Sequence, residues 1–95
     1  MGNKQYKFIA TVWKWPGEGP WYFVTLDKKM SEEIQNKYGK GMIKISTTIG
    51  KTTWDNALFP HKLSQAYLLA IKKLVRENEN IFEGDKVKIK FNIKK

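Results

Sequence analysis

Along residues 86–94 apolar and polar side chains alternate without a break: Val87, Ile89, Phe91 and Ile93 against Lys86, Lys88, Lys90, Asn92 and Lys94. Period-two alternation marks a strand with one buried and one solvated face. Its lysine-bearing outer face suits an edge or solvent-facing strand, which must avoid mispairing. The same pattern runs through Met42–Ile49, where Ile43, Ile45 and Ile49 oppose Lys44, Ser46 and Thr48. Gly50-Lys51 then fits a tight hairpin turn into Thr52–Phe59. Trp54 and Leu58 share one face of that strand, and Pro60 is expected to end it. His61–Gln65 reads as a polar loop.

Tyr6–Trp15 and Trp21–Leu26 also read as strands, but they are apolar on both faces. In the first, Phe8, Ala10 and Val12 oppose Lys7, Ile9, Thr11 and Trp13. Such strands are covered on both sides for part of their length. Pro16–Pro20, rich in proline and glycine, is the turn between them. Ala66–Ala70 is a short apolar strand.

Two stretches follow the helical period instead. Asp27 can cap a helix over Lys28–Tyr38, with Ser31 as an alternative cap for a shorter one. Met30, Ile34 and Tyr38 would form its apolar stripe, Glu32 and Glu33 lie early in it, and Gly39 and Gly41 end it. Ile71, Leu74 and Val75 predict a second short helix reaching about Asn78. Glu83-Gly84-Asp85 is a turn before the last strand. Six strands and two short helices give a mainly β (α+β) class. The expected architecture is a small antiparallel, partly closed six-stranded β-barrel, one domain over residues 1–95 with its core from about 6 to 93.

Composition narrows the chemistry. The chain has no cysteine, so it holds no disulfide, thiolate metal site or cysteine nucleophile. No apolar run reaches the length of a membrane span. The segment Met1–Lys7 lacks the apolar stretch of a secretory leader, and Tyr6 stands where a myristoylation signal after Gly2 would need Ser or Thr. The expected location is cytoplasmic. The net charge of +9 brings anionic partners into view, nucleic acid included. Yet the excess is spread along the chain, and Arg76 is the lone arginine among eighteen basic residues. Nucleic-acid contacts, if made, would fall on Lys44, Lys86, Lys88 and Lys90, the outer faces of two strands.

Catalytic constellations do not emerge. His61 is the single histidine, in a polar loop with no acid partner evident. The acids Glu18, Asp27, Asp55 and Asp85 lack metal-ligand spacing. No enzyme activity, cofactor or metal is expected. The tryptophans are the open question, because each can bury about 150–250 Å² of contact surface in a core or offer it to a ligand. Three of the four stand in Trp13-Lys-Trp15-Pro-Gly-Glu-Gly-Pro-Trp21, with Tyr22 and Phe23 following. Trp13, Trp15, Trp21, Trp54 and Arg76 are the candidate ligand contacts, and Trp15, beside the turn, is the one expected to reach solvent.

The pattern Phe8-x-Ala10-x-x-Trp13, then Pro16-Gly17-x-Gly19-x-Trp21-x-Phe23-Val24-x-Leu26, resembles the opening of a small bacterial family of domains of unknown function. Its members occur alone or fused to a YdeI/OmpD-associated (bacteriocin-protection) domain. The resemblance continues through Ile45-x-x-x-Ile49-Gly50-x-x-x-Trp54, Leu58-Phe59-Pro60 and Tyr67-Leu68-Leu69. It ends with Lys72-Lys73-x-Val75-Arg76 and Glu83-Gly84-Asp85-x-Val87. Asp27 and Ala70 depart from it, standing where similar sequences tend to have proline. It implies a compact barrel-like domain with short helices and brings no activity, cofactor or catalytic residue. Three functional classes stay open. The first is a binding module with an aromatic-lined pocket or face for a small molecule or peptide. The second is nonspecific nucleic-acid binding through the lysine-bearing strands. The third is a protein-interaction domain, a homodimer included.

Overall fold

Val12 divides what the alternation reads as one strand. The computed structural model describes residues 5–19 and 21–94, so Gly2 and the Pro20 end of the first turn lie outside the described residues. The first strand, β1 (Gln5–Thr11), pairs antiparallel with the last one, and β2 (Trp13–Lys14) pairs with β3 (Tyr22–Thr25). Between them Val12 is 1% exposed and bonded to the turn before the last strand. Its N–H donates to Asp85 O and its carbonyl accepts from Gly84 N, both at 2.8 Å. The partner of the chain therefore changes at this one residue.

The other strands are β4 (Ile43–Ile49), β5 (Thr52–His61), β6 (Ala66–Ala70) and β7 (Lys86–Ile93). They form one antiparallel sheet in the order β1-β7-β4-β5-β6-β3-β2. Since β1 and β2 are joined through Val12, the two ends of that order approach each other. The sheet curls into a barrel-like shape with a mainly β, α+β composition, as expected from strands apolar on both faces. Strand β7 lies between β1 and β4 and is a solvent-facing inner strand, not an edge.

Pro60 does not end β5, which runs on to His61 with Pro60 opposite Tyr67. The physical reason lies in the neighbours. Tyr67 spends its N–H on Ser31 Oγ and its carbonyl on Leu26 N, so it asks nothing of Pro60. Pairing with β4 stops at Leu58, so a proline beyond that point removes no ladder donor.

Ile45, Leu58, Leu69, Ile89 and Phe91 are fully buried at the centre of the interior. Helix α1 (Lys28–Tyr38) lies against β6, with Ile34 and Ser31 buried. Asp27 is its cap, accepting from Met30 N at 3.3 Å. Ser31 has a different task, accepting from Tyr67 N at 3.1 Å inside the protein. Tyr38 is exposed, so the apolar stripe is shorter than its spacing implies, and the first turn carries lysines rather than Glu32 and Glu33. Helix α2 (Lys73–Glu79) buries Val75 and leaves Leu74 exposed. Among the described residues, no helix is long and apolar enough to cross a membrane.

Candidate functional site

Strands β3, β6 and β5 carry a second apolar face on the outside of the sheet. Tyr67 and Leu69 point inward and join the core, while Leu68 and Ala70 face the other way. The register aligns these with their neighbours: Thr25, Leu68 and Phe59 lie in one row, and Phe23 lies opposite Ala70. Apolar residues on both faces of these strands thus have two separate causes, an interior and an outer groove. Trp15, Trp21, Phe23, Phe59, His61 and Leu68 frame that groove, which holds about 430 Å³.

The aromatic rings in and behind it are fixed to different degrees. Trp13 packs on Phe23 with ring centroids 5.4 Å apart, and its Nε1 donates to Thr25 Oγ1 at 3.0 Å. Trp15 lies against Trp13 at 5.8 Å, edge-on to Phe23 at 5.8 Å and edge-on to His61 at 5.9 Å. Such tilted and edge contacts are favoured by the ring quadrupoles. His61 Nδ1 in turn lies 2.8 Å from Ser64 Oγ. The turn is pinned by Trp15 N donating to Trp21 O at 2.8 Å. At Gly19 the backbone has φ +100°, and a Cβ there would meet the Trp21 ring at 3.0 Å. Glycine at this point lets Trp21 fold beside the turn.

Beyond Trp21 the groove continues past Phe59, Ala57 and Met42 through a further stretch of about 520 Å³. Three lysines border it: Lys44 on β4, Lys72 before α2 and Lys94 after β7. Asp55 is on the same rim, and Lys94 Nζ donates to it at 2.8 Å. That ion pair holds the Asp55 carboxyl below the usual carboxylate range. Trp15, Trp21, Phe59 and Met42 are 39%, 57%, 42% and 60% exposed. An apolar surface left open beside a filled core is a candidate binding site. A hollow of about 820 Å³ near α1 is larger, but charged and polar side chains line most of it. Ligand sites are mainly apolar with a few placed polar groups, which favours the aromatic groove.

The structure sorts the candidate residues. Trp15 and Trp21 come together at the groove, with Trp21 the more open, while Trp13 does not line it and packs behind against Trp15 and Phe23. Trp54 does not join them: it is 8% exposed in the core and only borders the far stretch. Arg76 is likewise elsewhere, with its guanidinium 4.0 Å over the Tyr22 ring and its Nε donating to Ile71 O at 3.2 Å. It ties α2 to the sheet. Lys86, Lys88 and Lys90 line the outer face of β7, and Lys7 on β1 stands opposite Lys90. Lys44 is apart from them, at the aromatic groove. Phe59, Met42 and Leu68 belong to the site and were not among the candidates. The signal for Phe59 was available, since strand alternation puts it on the face opposite Trp54 and Leu58. Among the described residues, no three His, Asp or Glu side chains gather as a metal site would need.

A family model described as a domain of unknown function (DUF1905) matches residues 8–91. No curated protein matches the chain.

Proposed function

The chain belongs to the DUF1905 family of domains of unknown function, so its task has to be read from its own surface, and we propose that it is a non-catalytic binding module. The ligand surface is the outer groove of β2, β3, β6 and β5, and the ligand is one that offers an aromatic or apolar body to the exposed rings, with small molecules and short peptides as the simplest probes. One observation carries this reading. Trp21 and Phe59 stay about half exposed at a groove that Phe23 also lines, and Phe23 is packed in place against Trp13. Phe59 stands on β5 and Trp21 beside a pinned turn, so little backbone ordering is needed when a ligand covers them, which favours binding.

Tryptophan fluorescence tests it. A panel of aromatic-bearing small molecules and short peptides should include ligands that quench or shift the emission saturably. Trp15→Ala and Trp21→Ala should each weaken such a ligand about tenfold or more while leaving thermal unfolding within a few degrees of the parent. Saturable binding that both variants leave unchanged would place the ligand elsewhere and defeat the reading.

A further inference from the structure

We propose that the ligand of this groove is single-stranded nucleic acid, with bases stacked on Trp15, Trp21 and Phe59 and phosphates on Lys44 and Lys72. The inference rests on the groove being a binding surface, and it names the class of molecule that surface takes.

Two chemistries meet at one place in the fold. The exposed rings of Trp15, Trp21 and Phe59 line one groove, and Trp21 and Phe59 also line the stretch beyond it. Stacking on such rings needs an unpaired base with both faces available, and it tolerates any sequence because every base has a π-face. The lysines border the same stretch that Trp21 and Phe59 line, although they come from β4, the start of α2 and the end of β7. Two distant parts of the chain thus deliver cations, Lys44 and Lys72, to the flank of the exposed rings, while Lys94 neutralises Asp55 there. A polymer that alternates flat rings with single negative charges satisfies both features at once.

The charge distribution supports the same occupant. The acid on that rim, Asp55, is already held by Lys94, so it offers little repulsion to an incoming phosphate beside Lys44 or Lys72. The net charge of +9 adds a long-range attraction for a polyanion. The outer row Lys86, Lys88 and Lys90 continues along β7 toward Lys94, extending a positive path away from the rings. A duplex fits less well. Its bases are already stacked on each other, and neither helix borders the aromatic stretch framed by Trp15 and Phe59.

Fluorescence anisotropy of labelled oligothymidylate, oligouridylate, a mixed-sequence duplex and heparin, each titrated with the full chain at several salt concentrations, tests the proposal. The single strands should bind at least tenfold more tightly than the duplex. Trp21→Ala and Phe59→Ala should each cost about tenfold for the single strands with the salt slope unchanged. The double variant Lys44→Gln, Lys72→Gln should flatten that slope by about 1.4, roughly 0.7 for each phosphate no longer neutralised. Circular dichroism checks that each variant is folded. Tighter binding of one single strand than the other tells whether the source is RNA or DNA, and either supports the proposal. Equal binding of duplex and heparin, untouched by Trp21→Ala, overturns it in favour of a lysine surface alone. If no nucleic acid binds while an aromatic small molecule or peptide quenches Trp21, the proposal falls and the groove reading survives. If nothing binds, both fall.

Discussion

Trp13, Trp15 and Trp21 flank one turn and do different things. Trp13 is a structural wall, because its Nε1 has found Thr25 and its ring rests on Phe23. Trp15 is half committed, with edges to Phe23 and His61 and one side open. Trp21 is the free face, held in position by the turn through Gly19 rather than by the core. Residue type alone could not separate these roles, since all three carry the same indole. Their rank by exposure depends on which strand pairs with which. Away from the groove, Tyr6 gives a pH signature. Its hydroxyl donates to Glu33 Oε2 at 3.2 Å, and burial, with that carboxylate beside it, pushes its pKa up to about 12. An unfolded tyrosine ionises near pH 10. The stability Tyr6 contributes is therefore fully present below about pH 10 and is lost as pH rises toward 12. Chemical denaturation across that window should show falling stability in the parent and a shallower fall in Tyr6→Phe. Tyr67, whose pKa burial also raises, supplies a remainder. Equal slopes in parent and variant would show that Tyr6 carries none of it.

At the scale of elements, how much can be read from the sequence depends on how many faces a strand must serve. Strands β4 and β7 have one wet face and one buried face, and simple alternation locates both to within a residue. Strands β3 and β6 serve two apolar surroundings, so their pattern signals double cover without saying by what. The outer cover turns out to be a groove instead of a second layer. The break at Val12 has no local signal. It exists because Gly84 and Asp85, distant in sequence, take both of its backbone groups. The run of β5 through Pro60 was hidden for a similar reason, since it depends on Ser31 and Leu26 satisfying Tyr67. The two faces of the sheet can be told apart by substitution. Leu69→Ala removes a fully buried side chain from the core and should cost about 2–5 kcal/mol in urea unfolding. Phe59→Ala, on the outer face, should cost under about 1 kcal/mol even though it removes a larger side chain. Comparable losses from the two would mean that the outer rings are part of the core after all.

For the whole molecule, the curl of the sheet sets where chemistry collects. One bent strand brings the two ends of the sheet together, and the interior is filled by aliphatic and aromatic side chains from both sides of that bend. The tryptophan-rich turn then has no room inside, so its rings lie over the outer faces of β3, β6 and β5. The same topology carries Lys94 back to Lys44, where Lys94 N donates to Lys44 O at 2.9 Å, and so puts positive charge beside the exposed rings. Net charge and aromatic count are legible in the sequence. Their meeting on one face is not, because it takes the sheet order to place Lys44, Lys72 and Lys94 beside Trp21. The central claim is that this outer face is where the molecule binds. Nuclear magnetic resonance of the isotope-labelled chain, titrated with a short oligothymidylate, tests it most directly. The indole N–H signals of Trp15 and Trp21 and the methyl signal of Met42 should move together and saturate, while the amides of β1 stay in place. Shifts confined to the amides of Lys86, Lys88 and Lys90, with the indoles of Trp15 and Trp21 unmoved, would contradict it.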